Sequence, residues 1–123
     1  MHAQLVVSVV DDDESVRESL PPLVTAFGYA ARSFSSALEF LASDGIEGTD
    51  CLILDIAMPG MSGPDLHLEL GRRGCRVPVI FITAHRDESL RQRLLRQGAV
   101  ECLFKPFSDV DMLQALKAAT TAP

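Results

Sequence analysis

Two short runs, "CLILD" at 51–55 and "VPVIFIT" at 77–83, are apolar on consecutive residues with no polar alternation. A strand that faces water on one side alternates; a strand covered on both sides does not have to. These runs therefore predict central strands of a parallel sheet with helices packed on both faces. "QLVVSVV" (4–10) and "VECLF" (100–104) read as further strands, and "YAARSF" (29–34) as a weaker fifth. Between them lie helical patterns. "SSALEFLAS" (35–43) has Leu38 and Leu41 on one face, with Ser35 or Ser36 placed to cap. "RDESLRQRLLRQGA" (86–99) carries Leu90 and Leu94 on one face and stops at Gly98. "SDVDMLQALKAAT" (108–120) brings Val110, Leu113 and Leu116 round after a Ser108 cap, with Asp109 and Asp111 where the helix dipole favours them. "ESVRESLPPLVTAF" (14–27) has helical spacing, but Pro21 and Pro22 sit inside it and predict a kinked or divided first helix. With one more helix in the connection between the third and fourth strands, five strands alternate with five helices and predict an α/β fold with a doubly wound parallel sheet.

A length of 123 residues fits one domain with one sizeable core. The net charge of −6 argues against nucleic-acid binding by this segment itself. Cys51, Cys75 and Cys102 form no CxxC or Cys/His pairing and read as reduced thiols. No basic-then-apolar leader opens the chain, and no apolar run is long enough to cross a bilayer. The expectation is a soluble, cytoplasmic single domain, residues 1–123, whose small-residue tail at 119–123 resembles the start of a linker.

Open parallel α/β sheets bind ligands beyond the carboxyl ends of their strands. Strand one is followed there by Asp11, Asp12, Asp13 and Glu14; strand three ends in Asp55, strand four in Thr83, and strand five in Lys105. Two carboxylates about 5 Å apart repel by roughly 3 kcal/mol at an effective dielectric of about 20. A cation or a raised proton affinity must offset that. Hard carboxylate oxygens with few other ligands suit Mg²⁺, and a lysine with a hydroxyl opposite suits a phosphoryl group. Asp55 is then a candidate nucleophile toward phosphorus. An EF-hand reading of Asp11-x-Asp13-x-Ser15 fails, because Val16 stands where glycine is needed and Pro22 where glutamate is needed.

"VVDDDE", "LILDIAMPGMSG", "VIFITA" and "FKPF", in this order and spacing, resemble the receiver domain of two-component response regulators. The likeness runs from about residue 5 to residue 118. "VVDDDESVRESL" and "GAVECLFKPF" are most similar to FixJ-type receivers, which precede a LuxR-like DNA-binding domain. The resemblance implies a flavodoxin-like (βα)5 fold with strand order 2-1-3-4-5. It implies that Asp55 accepts a phosphoryl group from a sensor histidine kinase, that Asp12 binds Mg²⁺ directly and Asp11 through water, and that the backbone carbonyl of Ala57 is a further metal ligand. Thr83 would bond the new phosphoryl oxygen, Lys105 would pair with it, and the Lys105–Pro106 bond would be cis. The expected partner surface, which mediates homodimerisation in FixJ-type receivers, is the fourth helix, fifth strand and fifth helix. A signalling domain is expected rather than an enzyme, with only self-phosphorylation and autodephosphorylation, and no membrane partner.

This chain departs from the family in one place: Cys102 stands where a switch aromatic is usual, three residues before Lys105. Ala57 leaves little side chain beside Asp55. Among the remaining residues, His85 reads as a loop residue that tunes hydrolysis, His2 and His67 carry no evident chemistry, Arg91, Arg93 and Arg96 read as a solvated helix face, and Phe104 and Phe107 as packing. Two other functions compete. A haloacid-dehalogenase-like phosphatase needs Asp-x-Asp, and Asp55-x-Ala57 lacks the second acid. A pseudo-receiver acting only as a protein-binding module would not need Asp12, Asp55, Thr83 and Lys105 together.

Overall fold

Five short strands pair in parallel as β2-β1-β3-β4-β5, in a computed structural model that describes residues 4–121. His2 and the last two tail residues, 122–123, lie outside that range. The strands are β1 (Val6–Val10), β2 (Ala30–Phe34), β3 (Cys51–Asp55), β4 (Val79–Thr83) and β5 (Glu101–Phe104). Every residue of β3 and of β4 is buried, as their unbroken apolar runs require.

The helices are α1 (Glu14–Ala26), α2 (Ala37–Ala42), α3 (Gly45–Gly48), α4 (Gly63–Arg72), α5 (Glu88–Arg96) and α6 (Asp109–Thr120). The single-turn α3 makes six where five were expected, so the fourth and fifth helices of the sequence reading are α5 and α6. Strand side chains alternate between two cores. Val7, Val9, Ile53, Ile80 and Ile82 pack against α1 and α6. Val10, Leu52, Leu54, Val79 and Phe81 pack against α2, α4 and α5. Among the described residues no helix is long and apolar enough to cross a membrane.

Three local expectations give way to packing. The first helix is not divided: α1 runs through Pro21 and Pro22. The carbonyls their rings deprive of a donor belong to half-buried Arg17 and exposed Glu18, within reach of water. Helix α2 buries Ala37 and Phe40, while Leu38 is 63% exposed. The larger Phe40 ring takes the one stripe that six residues can press onto the sheet, stacking edge-on against Phe34 at 5.2 Å. Helix α6 buries Met112, Ala115 and Leu116, an i, i+3, i+4 stripe that leaves Val110 62% exposed.

Candidate functional site

Parallel pairing brings the carboxyl ends of β1, β3, β4 and β5 to one edge, and Asp11, Asp55, Thr83 and Lys105 all follow from that. Asp11 is the first residue after β1 and is fully buried. Its amide donates to the Phe34 carbonyl at 3.1 Å. Its Oδ1 accepts the Asp13 amide at 2.9 Å and its Oδ2 accepts Lys105 Nζ at 3.0 Å. Arg17 ties down the Asp11 carbonyl through Nη1 at 2.9 Å. Asp55 closes β3, is 5% exposed, and receives the same ammonium at 3.4 Å on Oδ1.

One carboxylate oxygen from each of Asp11, Asp12 and Asp55 can be chosen so that all three lie within 4.8 Å of one another. Asp12 is the exposed member, so the group is walled on one side and open to solvent on the other. Burial, then the charge of Asp11, push the Asp55 carboxyl up to about 7, against the opposing pull of Lys105. For Lys105, burial disfavours the charge, but the bond to Asp11 and the two carboxylates outweigh it and hold the ammonium above its ordinary pKa. Three hard oxygens with an open face, in a site that otherwise strains one of its own carboxylates, fit a small divalent cation such as Mg²⁺.

The remaining expected residues fall close by or apart. Thr83 ends β4, is 3% exposed, and its Oγ1 accepts the His85 amide at 3.1 Å. Lys105 follows β5, its amide donating to the Thr83 carbonyl at 2.7 Å, and its bond to Pro106 is cis. Ala57 lies two residues beyond Asp55 in the exposed part of the β3–α4 loop. Cys102 is buried in β5, but β5 sets Phe104 opposite Thr83 and Cys102 opposite Phe81. Asp13 is drawn out of the acidic group: its carboxylate caps α1, accepting the Ser15 amide at 2.9 Å and the Ser15 hydroxyl at 2.8 Å.

Two contributors escaped the sequence reading. Arg91 is not on the solvated face with Arg93 and Arg96. It folds back onto β5, donating to the Cys102 carbonyl at 3.1 Å and to Glu101 at 2.8 Å. Its signal was the acidic Glu101 on an otherwise apolar strand, a partner waiting for a cation. Gly63, the first residue of α4, is packed against the backbone of Asp55. A Cβ there would stand 2.2 Å from the Asp55 carbonyl oxygen, so only glycine lets α4 begin this close to the site.

A doubly wound parallel sheet with acidic residues and one lysine converging beyond the carboxyl ends of its strands defines an α/β domain with its site at the usual ligand-binding edge. The comparisons specify it. A family model for the response regulator receiver domain matches residues 7–117. The chain is 44% identical over 115 residues to nodulation protein W of Bradyrhizobium diazoefficiens, covering 94% of this chain and 51% of that protein. It is 39% identical over 119 residues to the transcriptional regulatory protein FixJ of Azorhizobium caulinodans, covering 97% of this chain and 56% of that one. Among solved structures, the response regulator StyR superposes with a TM-score of 0.87 at 41% identity, over 96% of this chain and 60% of that one. FixJ-N superposes with a TM-score of 0.85 at 34% identity, over 99% of this chain and all of that one. This chain belongs to the response regulator receiver family of two-component systems, and its relatives include transcriptional regulators. It spans about half the length of the curated relatives it matches.

Proposed function

We propose that the chain is a phosphorylation-driven switch whose phosphoacceptor is Asp55. The observation that carries the reading is the Lys105 ammonium held between Asp11 and Asp55 beside a group of three carboxylates. A carboxylate oxygen of Asp55 attacks phosphorus in the phosphohistidine of a sensor kinase. The P–N bond breaks, its electron pair stays on the imidazole nitrogen, and the phosphoryl group remains on Asp55 as an acyl phosphate. Lys105 is close enough to follow the new negative charge from the carboxylate to the phosphoryl oxygens. Thr83 Oγ1 already accepts the His85 amide, which leaves its own proton free to donate to a phosphoryl oxygen.

Mg²⁺ would be held by Asp12 and Asp55 directly, by the Ala57 carbonyl, and by Asp11 through water, and would supply charge neutralisation to the transferring group. The switched surface is α5, β5 and α6, through which two phosphorylated copies pair and control transcription through an attached or separate output. Ala119 and Thr120 complete α6, so a link to an attached output would start beyond them rather than at residue 119, and the working compartment is the cytoplasm. Cys102, with no ring to turn, changes how Thr83 is coupled to that surface. No external substrate is turned over.

The test is intact mass after incubation with acetyl phosphate and Mg²⁺. A phosphoryl adduct is expected on the wild type and none on Asp55→Asn. No adduct on the wild type, with beryllofluoride also failing to bind, would overturn the reading in favour of a protein-binding pseudo-receiver.

A further inference from the structure

Helices α2 and α4 lie on the same face of the sheet with a groove of about 460 Å³ between them, lined by Leu38, Met61 and Leu68. Leu38 is 63% and Leu68 56% exposed. Four large apolar side chains are exposed among the described residues, and two of them meet in this one groove. Single exposed leucines are ordinary; two facing each other across a hollow form a patch. A second hollow, of about 690 Å³, lies farther along the same pair of helices beside Leu41, Ile46 and Cys75.

The charge around these hollows is acidic. Glu69 pairs with Arg73 at 2.9 Å and more loosely with Arg72 at 3.5 Å, Arg72 itself lining the first groove, so Glu69 and one arginine offset each other there. Asp65 and Glu47 line the hollows and make no ion pair among the described residues. The chain as a whole carries −6. The free faces of α5 and α6 in a second copy do not match this surface. The arginine-bearing α5 commits Leu94 to the core, so its free side shows Gln92, Arg93 and Arg96 but no apolar anchor. Val110 of α6 is exposed but sits between Asp109 and Asp111, which the acidic rim repels. What fits is two apolar anchors with positive flanks.

We propose that the α2–α4 groove docks a basic amphipathic helix carried by a partner protein. Leu38 and Leu68 supply the apolar contact, Asp65 in the groove selects the charge, and Glu47 adds to it from the second hollow. Gly60 and Met61 of the groove wall belong to the loop that leaves Asp55, so an occupant would sit on a segment continuous with the site. The inference does not rest on the phosphoacceptor reading, and its test omits Mg²⁺ and any phosphodonor.

The probe is a short leucine–lysine amphipathic peptide titrated into isotope-labelled protein and followed by amide NMR. Saturable shifts centred on Leu38, Met61 and Leu68 are expected. Leu38→Ala and Leu68→Ala should each weaken binding about tenfold; both sites are exposed, so the fold should be unaffected. Asp65→Lys should weaken it further. Equal binding of a lysine–serine peptide, or of a leucine–glutamate peptide, would overturn the proposal, as would shifts centred elsewhere. Concentration-dependent shifts at these residues without peptide would assign the groove to a second copy and also overturn it.

Discussion

Lys105 donates its ammonium to the buried carboxylate of Asp11 at 3.0 Å, across 94 positions of sequence. This contact joins the first strand's end to the last strand's end over the top of the sheet. It also places one positive charge beside two buried negative ones, because Asp55 lies 3.4 Å from the same nitrogen.

Removing that charge leaves two buried carboxylates without a counter-ion. Lys105→Met is expected to destabilise the metal-free protein by about 3 kcal/mol, the usual result of breaking a buried pair from one side. Urea denaturation reads it, and Mg²⁺ should restore part of the loss. Unchanged stability without metal would show that Asp11 and Asp55 do not need the ammonium.

The pH dependence has a definite sign. Burial and Asp11 raise Asp55 from an ordinary 3.8 to about 7 in the fold, so the folded state holds that proton more tightly than the unfolded chain. Between about pH 4 and about pH 7 the native state binds more protons, and metal-free stability falls as pH rises. Mg²⁺ favours the ionised form and should flatten or reverse the slope. Denaturation midpoints across that window check it; Asp55→Asn should lose the slope, and an equal slope in that variant would assign it to another group.

Asp12 is the exposed member of the three-carboxylate group. Asp12→Asn relieves repulsion, so it should stabilise the metal-free fold by up to about 1 kcal/mol while weakening Mg²⁺ binding. Denaturation with and without Mg²⁺ separates the two effects. A metal-free loss of stability would contradict the prediction.

Gly63→Ala tests the close approach of α4 to the site. Its Cβ would meet the Asp55 carbonyl oxygen at 2.2 Å, so backbone has to move. A loss of about 1–3 kcal/mol is expected from overpacking, together with a reduced rate of phosphoryl-adduct formation as Asp55 shifts. Wild-type stability and adduct formation would mean that the α4 terminus yields freely.

Cys102 is 2% exposed and packs among Phe81, Leu94 and Ala99. The Cys102 position also borders a hollow lined by Arg91 and Phe104, and a tyrosine is larger than the space a buried cysteine fills. Cys102→Tyr should therefore cost about 1–3 kcal/mol, leave the phosphoryl adduct intact, and change dimerisation on activation. Sedimentation of the acetyl-phosphate-treated variant against wild type decides; identical dimerisation would remove Cys102 from the switch.

Local pattern was enough for the strands, because a strand covered on both faces runs apolar without alternation, as β3 and β4 do up to the Asp55 and Thr83 at their ends. It was also enough to place Asp55, Thr83 and Lys105 beyond strand ends, since each directly ends or follows its run. The strand order came from the resemblance to receivers, not from periodicity. Tertiary structure alone decided which side of each helix is buried. Phe40 displaced Leu38, and Met112 displaced Val110, because burial goes to the side chains that can reach the sheet rather than to every apolar one. Only the assembled sheet sent Arg91 back to Glu101, let α4 start against Asp55 at Gly63, and put Lys105 on Asp11. Those contacts join residues from separate elements, whose distance in space no local pattern encodes.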